Sequence, residues 1–346
     1  MSANGLIQAF ESWQLTGKPM VLATVYDTKG STYSKAGHRI LISSSLDYQG
    51  LVSGGCLEGD LAERASAVIE ANEPTTITYD MRDDVDDLWG LGVGCNGLIR
   101  VFLQPLMAND GYEPFLQIAK YLRMPVSVIV ATVIAGKPGA LIAGTTLIWD
   151  ESDIESDALK RLVPGCQAAR AVGKTILNTE EDGLTVLYSP LQPLRRLLVL
   201  GAGLDALPVV NMAAELGWRV TIADHRPTYL EKGVFALAER TALIDPERMS
   251  QDLVPSSFDA VVVMSHHLVT DQIYLKQLAD VELSYLGVLG PVARKNRLLD
   301  SLGAVGDSLR DQLRGPVGID IGADEPESIA LSLLAEIHAA LAGKLD

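Results

Sequence analysis

The chain opens on an apolar stripe of helical spacing, Leu6, Ile7, Phe10 and Trp13, which predicts an amphipathic helix ending near Gly17-Lys18-Pro19. Apolar runs predict strands over 20–26 and 38–43, and the segment Ser53 to Asp60 leads into a helix reaching about Ala71. Strands over 75–79 and 98–104 bracket an acidic stretch at 83–87 and a glycine-rich turn at 90–97. A helix over 113–123 follows. The apolar runs 126–133 and 140–149, joined by Gly136-Lys137-Pro138-Gly139, read as a hairpin. A helix over 156–172 and a strand over 184–188 complete this half.

Pro190 and Pro193 interrupt the pattern and mark the expected boundary between a domain over 1–192 and one over 193–346. Beyond them, strands over 196–200, 219–223 and 258–264 alternate with amphipathic helices such as 204–216. The final helix, 325–341, carries Pro326 in its first turn, where a missing N–H is harmless. This alternation predicts an α/β protein: an N-terminal α/β domain followed by a C-terminal Rossmann-like domain with a doubly wound parallel sheet.

Composition narrows the partners. With 48% hydrophobic residues and a mean hydropathy of +0.19, the 346 residues can bury substantial cores, which excludes extended disorder. The net charge is −16, and no run of Lys and Arg is denser than pairs such as Arg195-Arg196. Nucleic acid and anionic membrane surfaces are therefore not expected partners. The longest uncharged stretch, Met124 to Gly136, is 13 residues, short of the ~20 that span a bilayer. The first residues lack the basic and apolar pattern of a signal peptide, and three scattered cysteines form no disulfide or zinc framework. A reducing, cytoplasmic setting is the expectation.

Two constellations carry chemistry. Leu197 to Leu200 runs into Gly201-Ala202-Gly203-Leu204-Asp205-Ala206, a G-x-G-x-x-A turn between strand and helix, with Asp224 closing the next strand. In such a turn Gly201 permits the bend, Gly203 admits a phosphate, and Asp224 accepts from a ribose hydroxyl. Asp205 places a negative charge where a pyrophosphate would arrive, and Arg226 could offset it, bind a phosphate or stand in solvent. In the N-terminal half, Ser53-Gly54-Gly55-Cys56-Leu57-Glu58 sets backbone N–H groups and a thiol at the start of a helix, a geometry suited to an anion. A tight turn around a small buried Cys56 is the other reading. Gly94-Cys95-Asn96-Gly97 repeats the theme. His266 and His267 follow a strand at the carboxyl edge of the parallel sheet, and on extended chain only one can face a cleft.

Taken in order, these blocks resemble the XdhC/CoxI family of molybdoenzyme maturation factors, which includes the xanthine dehydrogenase accessory proteins. The resemblance rests on Gly30-Ser31 with Gly37 and Arg39, on Ser53 to Glu58, and on Gly94 to Gly97. In the second half it rests on Gly201 to Gly203, Asp224 with Arg226, Ser265-His266, Asp271, Tyr285 to Gly290, and Pro316 to Ala323. It implies a chaperone that shields the molybdenum cofactor, as Mo-molybdopterin or its dinucleotide form. Such a chaperone assists sulfuration through a cysteine desulfurase and delivers the cofactor to a xanthine dehydrogenase-like client, without being an enzyme itself.

The implied cofactor-binding residues are Ser53, Gly54, Gly55, Cys56, Glu58, Cys95, Gly97, Gly201, Gly203, Asp224, Arg226 and His266, with Cys56 or Cys95 near molybdenum and the ligand in a cleft between the domains. The chain departs from the family at Leu204-Asp205, where His-Val is usual, and at Tyr33-Ser34, His267 and Pro291. Two other readings stay open: an NAD(P)-dependent oxidoreductase, and a protein adaptor without a small-molecule ligand. The assembly, a homodimer among the choices, is open as well.

Overall fold

The computed structural model describes residues 3–82, 97–136 and 141–345, and the chain divides into two compact units, Met1–Pro193 and Leu194–Asp346. In the first unit, helix α1 (Ala3–Gln14) precedes strands β1 (Met20–Gly30), β2 (Arg39–Ser43) and β3 (Tyr48–Gln49). Helix α2 (Glu58–Ala71), β4 (Thr75–Asp80), β5 (Gly97–Leu106) and helix α3 (Phe115–Arg123) follow. The five strands form an antiparallel sheet in the order β3-β2-β1-β5-β4. Alternation along β1 turns Val21, Ala23 and Val25 toward Leu61, Ala65 and Val68 of α2. It leaves Met20 and Leu22, also buried, for the opposite face. Phe10 of α1 and Phe115 of α3 pack ring to ring with centroids 5.0 Å apart.

The same unit holds a second, four-stranded antiparallel sheet, β7-β6-β9-β8, built from β6 (Val128–Ala135), β7 (Thr146–Trp149), β8 (Ile176–Thr179) and β9 (Thr185–Leu191). The expected hairpin is the β6–β7 pair, with strand structure beginning at Thr146 rather than 140; residues 137–140 lie outside the described part. The single helix expected over 156–172 is two, α4 (Asp157–Lys160) and α5 (Val163–Val172). Pro164 explains the break, because it lacks the N–H that would continue the ladder from α4. Strand β9 runs on through Pro190, which lies beyond the β8 pairing that stops at Tyr188.

The second unit has the expected parallel sheet. Its strands are β10 (Arg196–Leu200), β11 (Arg219–Asp224), β12 (Arg240–Leu243), β13 (Ala260–Val263), β14 (Tyr285–Val288) and β15 (Leu313–Arg314), in the order β12-β11-β10-β13-β14-β15. That order is the doubly wound Rossmann arrangement, with its reversal between β10 and β13. Helices α6 (Ala206–Glu215), α7 (Pro227–Gly233), α8 (Met249–Leu253), α9 (Leu268–Leu278), α10 (Val292–Leu302), α11 (Ala304–Leu309) and α12 (Pro326–Leu341) surround it.

Strand β10 shows why both faces must be covered. Leu197 and Val199 join a core with α6 and α12, whereas Leu198 and Leu200 join another with Tyr274, Leu275 and Leu298. Helix α12 begins at Pro326, with Glu325 and Ser328 forming a reciprocal cap. Among the described residues no helix is long and apolar enough to cross a membrane.

Candidate functional site

The loop before α2 is organised by one carboxylate. Glu58 is fully buried; its Oε1 accepts the Val52 N–H at 2.6 Å and the Ser53 N–H at 2.9 Å. Its Oε2 accepts from Ser53 Oγ at 2.8 Å, the Gly55 N–H at 2.9 Å and the Leu57 N–H at 3.2 Å. Ser53 Oγ accepts in turn from the N–H groups of Cys56 and Leu57. Burial by itself raises the Glu58 pKa, but this set of donors outweighs it and holds the carboxyl below its ordinary value. Gly54 and Gly55 take positive φ, 81° and 118°, a conformation that side chains rarely adopt.

This differs from the sequence expectation in two ways. The Gly55 N–H, expected to offer itself to an external anion, is taken by Glu58 from within the loop. Cys56 is exposed rather than buried, so the compact-turn reading of the thiol does not hold. What the loop presents outward is therefore a sulfur, a soft donor, on a rigidly held backbone. Cys95 lies outside the described residues; Gly97, at the other end of that motif, opens β5 opposite Gly30 of β1. Cys166 is buried behind the second sheet, where burial pushes its thiol up to about 12 and leaves it inert.

In the second unit, the predicted residues gather at the carboxyl edge of the parallel sheet, but their charges are already paired. Gly201 (φ 128°) passes so close to Met264 that any Cβ would meet the Met264 carbonyl. Asp224 is fully buried and accepts from the Ala202 N–H at 2.8 Å and from Arg226 at 2.9 Å (Nε) and 2.8 Å (a terminal nitrogen). Burial raises its pKa, and the Arg226 and Ala202 donors bring it below the ordinary value nonetheless. The ribose-accepting role expected of Asp224 is thus filled by the protein's own donors. Arg226 does not offset Asp205; it clamps Asp224 and lies 3.6 Å from the centroid of the Tyr229 ring.

Asp205 finds its partner in His266, whose Nε2 is 2.8 Å from Asp205 Oδ2. His266 sits at φ 61°, and the hydrogen bond to Asp205 raises its pKa against the lowering effect of burial. A Cβ on Gly203 would run into the Asp205 carboxylate, so the pair lies over the glycine turn where a pyrophosphate would approach. His267 faces elsewhere: its Nδ1 accepts at the start of α9, from Thr270. Sequence reasoning missed a further buried pair. Asp271 of α9 accepts from Arg294 of α10 at 2.6 Å and from Ser265 Oγ. Two helices bring these residues together, and no local spacing signals it. Among the described residues no cluster of three or more His, Cys, Asp or Glu is placed to hold a metal ion.

Comparison with known proteins finds relatives of the whole chain. A profile of the XdhC and CoxI family matches residues 13–80, which include the Cys56 loop, and a profile of the XdhC Rossmann domain matches residues 197–337. The chain is 32% identical to a probable subunit of xanthine dehydrogenase from Bacillus subtilis (strain 168), over 92% of each chain. It belongs to the XdhC and CoxI family. Within that family it is also similar to the molybdenum cofactor insertion chaperone PaoD of Escherichia coli (strain K12), 25% identical over 93% of this chain and 84% of PaoD. The crystal structure of a xanthine dehydrogenase from Bacillus halodurans superposes with a TM-score of 0.77 at 29% identity, covering 99% of this chain and 97% of that one. The two profile matches fall one in each unit, the XdhC and CoxI profile over the thiol loop and the XdhC Rossmann profile over the paired glycine turn.

Proposed function

We propose that this protein is a molybdenum-cofactor chaperone that protects the cofactor, assists its sulfuration and inserts it into a molybdoenzyme of the xanthine dehydrogenase type. The observation that carries the reading is the outward thiol of Cys56 on a loop braced by Glu58, in a chain similar along nearly its whole length to a molybdenum cofactor insertion chaperone. A soft sulfur donor suits both molybdenum and the sulfur being installed. When bound, the cofactor would supply the metal dithiolene chemistry. The chain's own residues hold and shield it: Cys56 offers sulfur, and Glu58 keeps the loop from collapsing onto it. Because Glu58 takes the Val52, Ser53, Gly55 and Leu57 N–H groups, little of the loop backbone is left to hold the cofactor's phosphate.

The proposal includes a cysteine desulfurase as sulfur source, a homodimeric assembly and a cytoplasmic location. The described cysteines, Cys56 and Cys166, are free thiols, which supports a reducing setting. The choice between plain Mo-molybdopterin and its dinucleotide form turns on the glycine turn. The Asp205–His266 pair over it and the engaged Asp224 favour the shorter form and disfavour the NAD(P) oxidoreductase reading.

The test is purification after co-expression with a cofactor-producing pathway, assay of bound molybdopterin after oxidation, and titration with NADH in parallel. Bound pterin without NADH turnover is the expected result. NADH-dependent turnover, or absence of pterin from protein that is folded, would overturn it.

A further inference from the structure

The described residues contain one guanidinium that the fold leaves without a counter-charge in a concave place. Arg39 begins β2 and lines a cavity of about 380 Å³, a size typical of small-molecule sites. Elsewhere in the described chain, arginines such as Arg64, Arg226 and Arg294 are paired with carboxylates. Arg39 is half-buried, and among the described residues no hydrogen bond or ion pair engages its guanidinium. Burial alone lowers its pKa to about 10. Desolvating a charge without a partner costs stability, and a protein of net charge −16 has no shortage of carboxylates to supply one.

The surroundings define the ligand's chemistry. The groups whose charge bears on neighbouring His38 include Arg39 and Lys35, all of them cationic, and together with burial they lower its pKa. The charged groups that bear on His38 at this mouth are thus cations, in a protein that is acidic overall. Across the cavity stand apolar side chains from α1 and α3, Leu6, Phe115, Ile118 and Leu122. Tyr33 adds an exposed aromatic ring at the lip. The same ring lies 3.7 Å from where a Gly54 Cβ would stand, so the cavity and the Cys56 loop adjoin through Tyr33.

We propose that this cavity is a binding site for an organic phosphate monoester, its phosphate on Arg39 and its flat or apolar body against Tyr33 and the α1–α3 wall. A phosphate matches a lining that holds Arg39 and no acid, and a guanidinium grips phosphate with paired N–H donors. Assigning that phosphate to the molybdenum cofactor rests on the function proposed above; the site itself does not.

The test uses the full chain and calorimetric titration with phenyl phosphate, inorganic phosphate and phenol. Phenyl phosphate should bind more tightly than either fragment. Arg39→Gln should weaken it by about tenfold or more, with Arg39→Lys intermediate. Arg39→Met should raise the unfolding midpoint while abolishing binding, whereas a merely structural arginine would lower it. Failure of phenyl phosphate to bind the parent at millimolar concentration, or equal binding by parent and Arg39→Gln, overturns the site. Loss of phenyl phosphate by Arg39→Gln with molybdopterin still retained keeps the site and separates it from the cofactor.

Discussion

Glu58 grips Ser53 at two points, accepting its backbone N–H at 2.9 Å on one carboxylate oxygen and its hydroxyl at 2.8 Å on the other. A motif that looks like an anion cradle in sequence is thereby closed by an internal anion, and the loop's rigidity depends on one buried charge.

Glu58→Gln tests that dependence. The amide keeps one acceptor but turns a donor toward Ser53 Oγ, Gly55 N–H and Leu57 N–H, so at least one buried donor loses its partner. A loss of about 2–4 kcal/mol in urea unfolding is expected. Unchanged stability would show that the loop does not need the charge.

Glu58 and Asp224, two fully buried carboxyls held below their ordinary values, also set an acid limit. Their folded pKa values lie below the unfolded ones, so the stability they confer is complete above pH of about 4–5 and is lost as pH falls through the folded values. Thermal midpoints measured from pH 6 downward should fall in that window for the parent. The drop should be smaller in Glu58→Gln, which has nothing there to protonate.

Arg226→Met leaves Asp224 buried with its backbone donors and, at 3.4 Å, the ring nitrogen of His225. Because Arg226 is itself partly exposed, the loss is expected at the lower end for broken buried pairs, about 2–4 kcal/mol by denaturant unfolding. A neutral result would mean that Asp224 does not rely on the Arg226 fork.

His266 should titrate above its ordinary value, and Asp205→Asn should bring it back down, as read by the ring-proton shifts in NMR. The sign follows from a raised folded pKa: the pair's stabilisation is present below pH of about 6.5 and is lost as pH rises through the folded value. With His266 more than half exposed, the contribution to global stability should stay under about 1 kcal/mol.

Cys56 and Cys166 should separate cleanly in alkylation. Iodoacetamide should label Cys56 in the native protein and Cys166 only after denaturation, read by peptide mass spectrometry. Cys56→Ala should change unfolding free energy by no more than about 0.5 kcal/mol while cofactor retention or sulfuration falls. A variant that retains and transfers sulfurated cofactor like the parent would remove Cys56 from the mechanism.

The α/β class, the parallel C-terminal sheet, the glycine turn at Gly201 and the family are all legible in the linear chain. Each is written in the spacing of neighbouring residues, as when Leu197 to Leu200 runs straight into Gly201-Ala202-Gly203. Which polar groups remain free is a matter of packing. Asp224 reads as a ribose acceptor until Arg226 and Ala202 are seen on it, and Gly55 as an anion donor until Glu58 folds back. Asp271 and Arg294 meet only because α9 and α10 pack side by side. Arg39, one arginine among many in the sequence, becomes distinctive because it lines a cavity and no described carboxylate pairs with it. Hydrogen-bond capacity and counter-charge are shared out among residues distant in the chain, so local spacing can name the donors and acceptors while the packed fold settles which of them are spent.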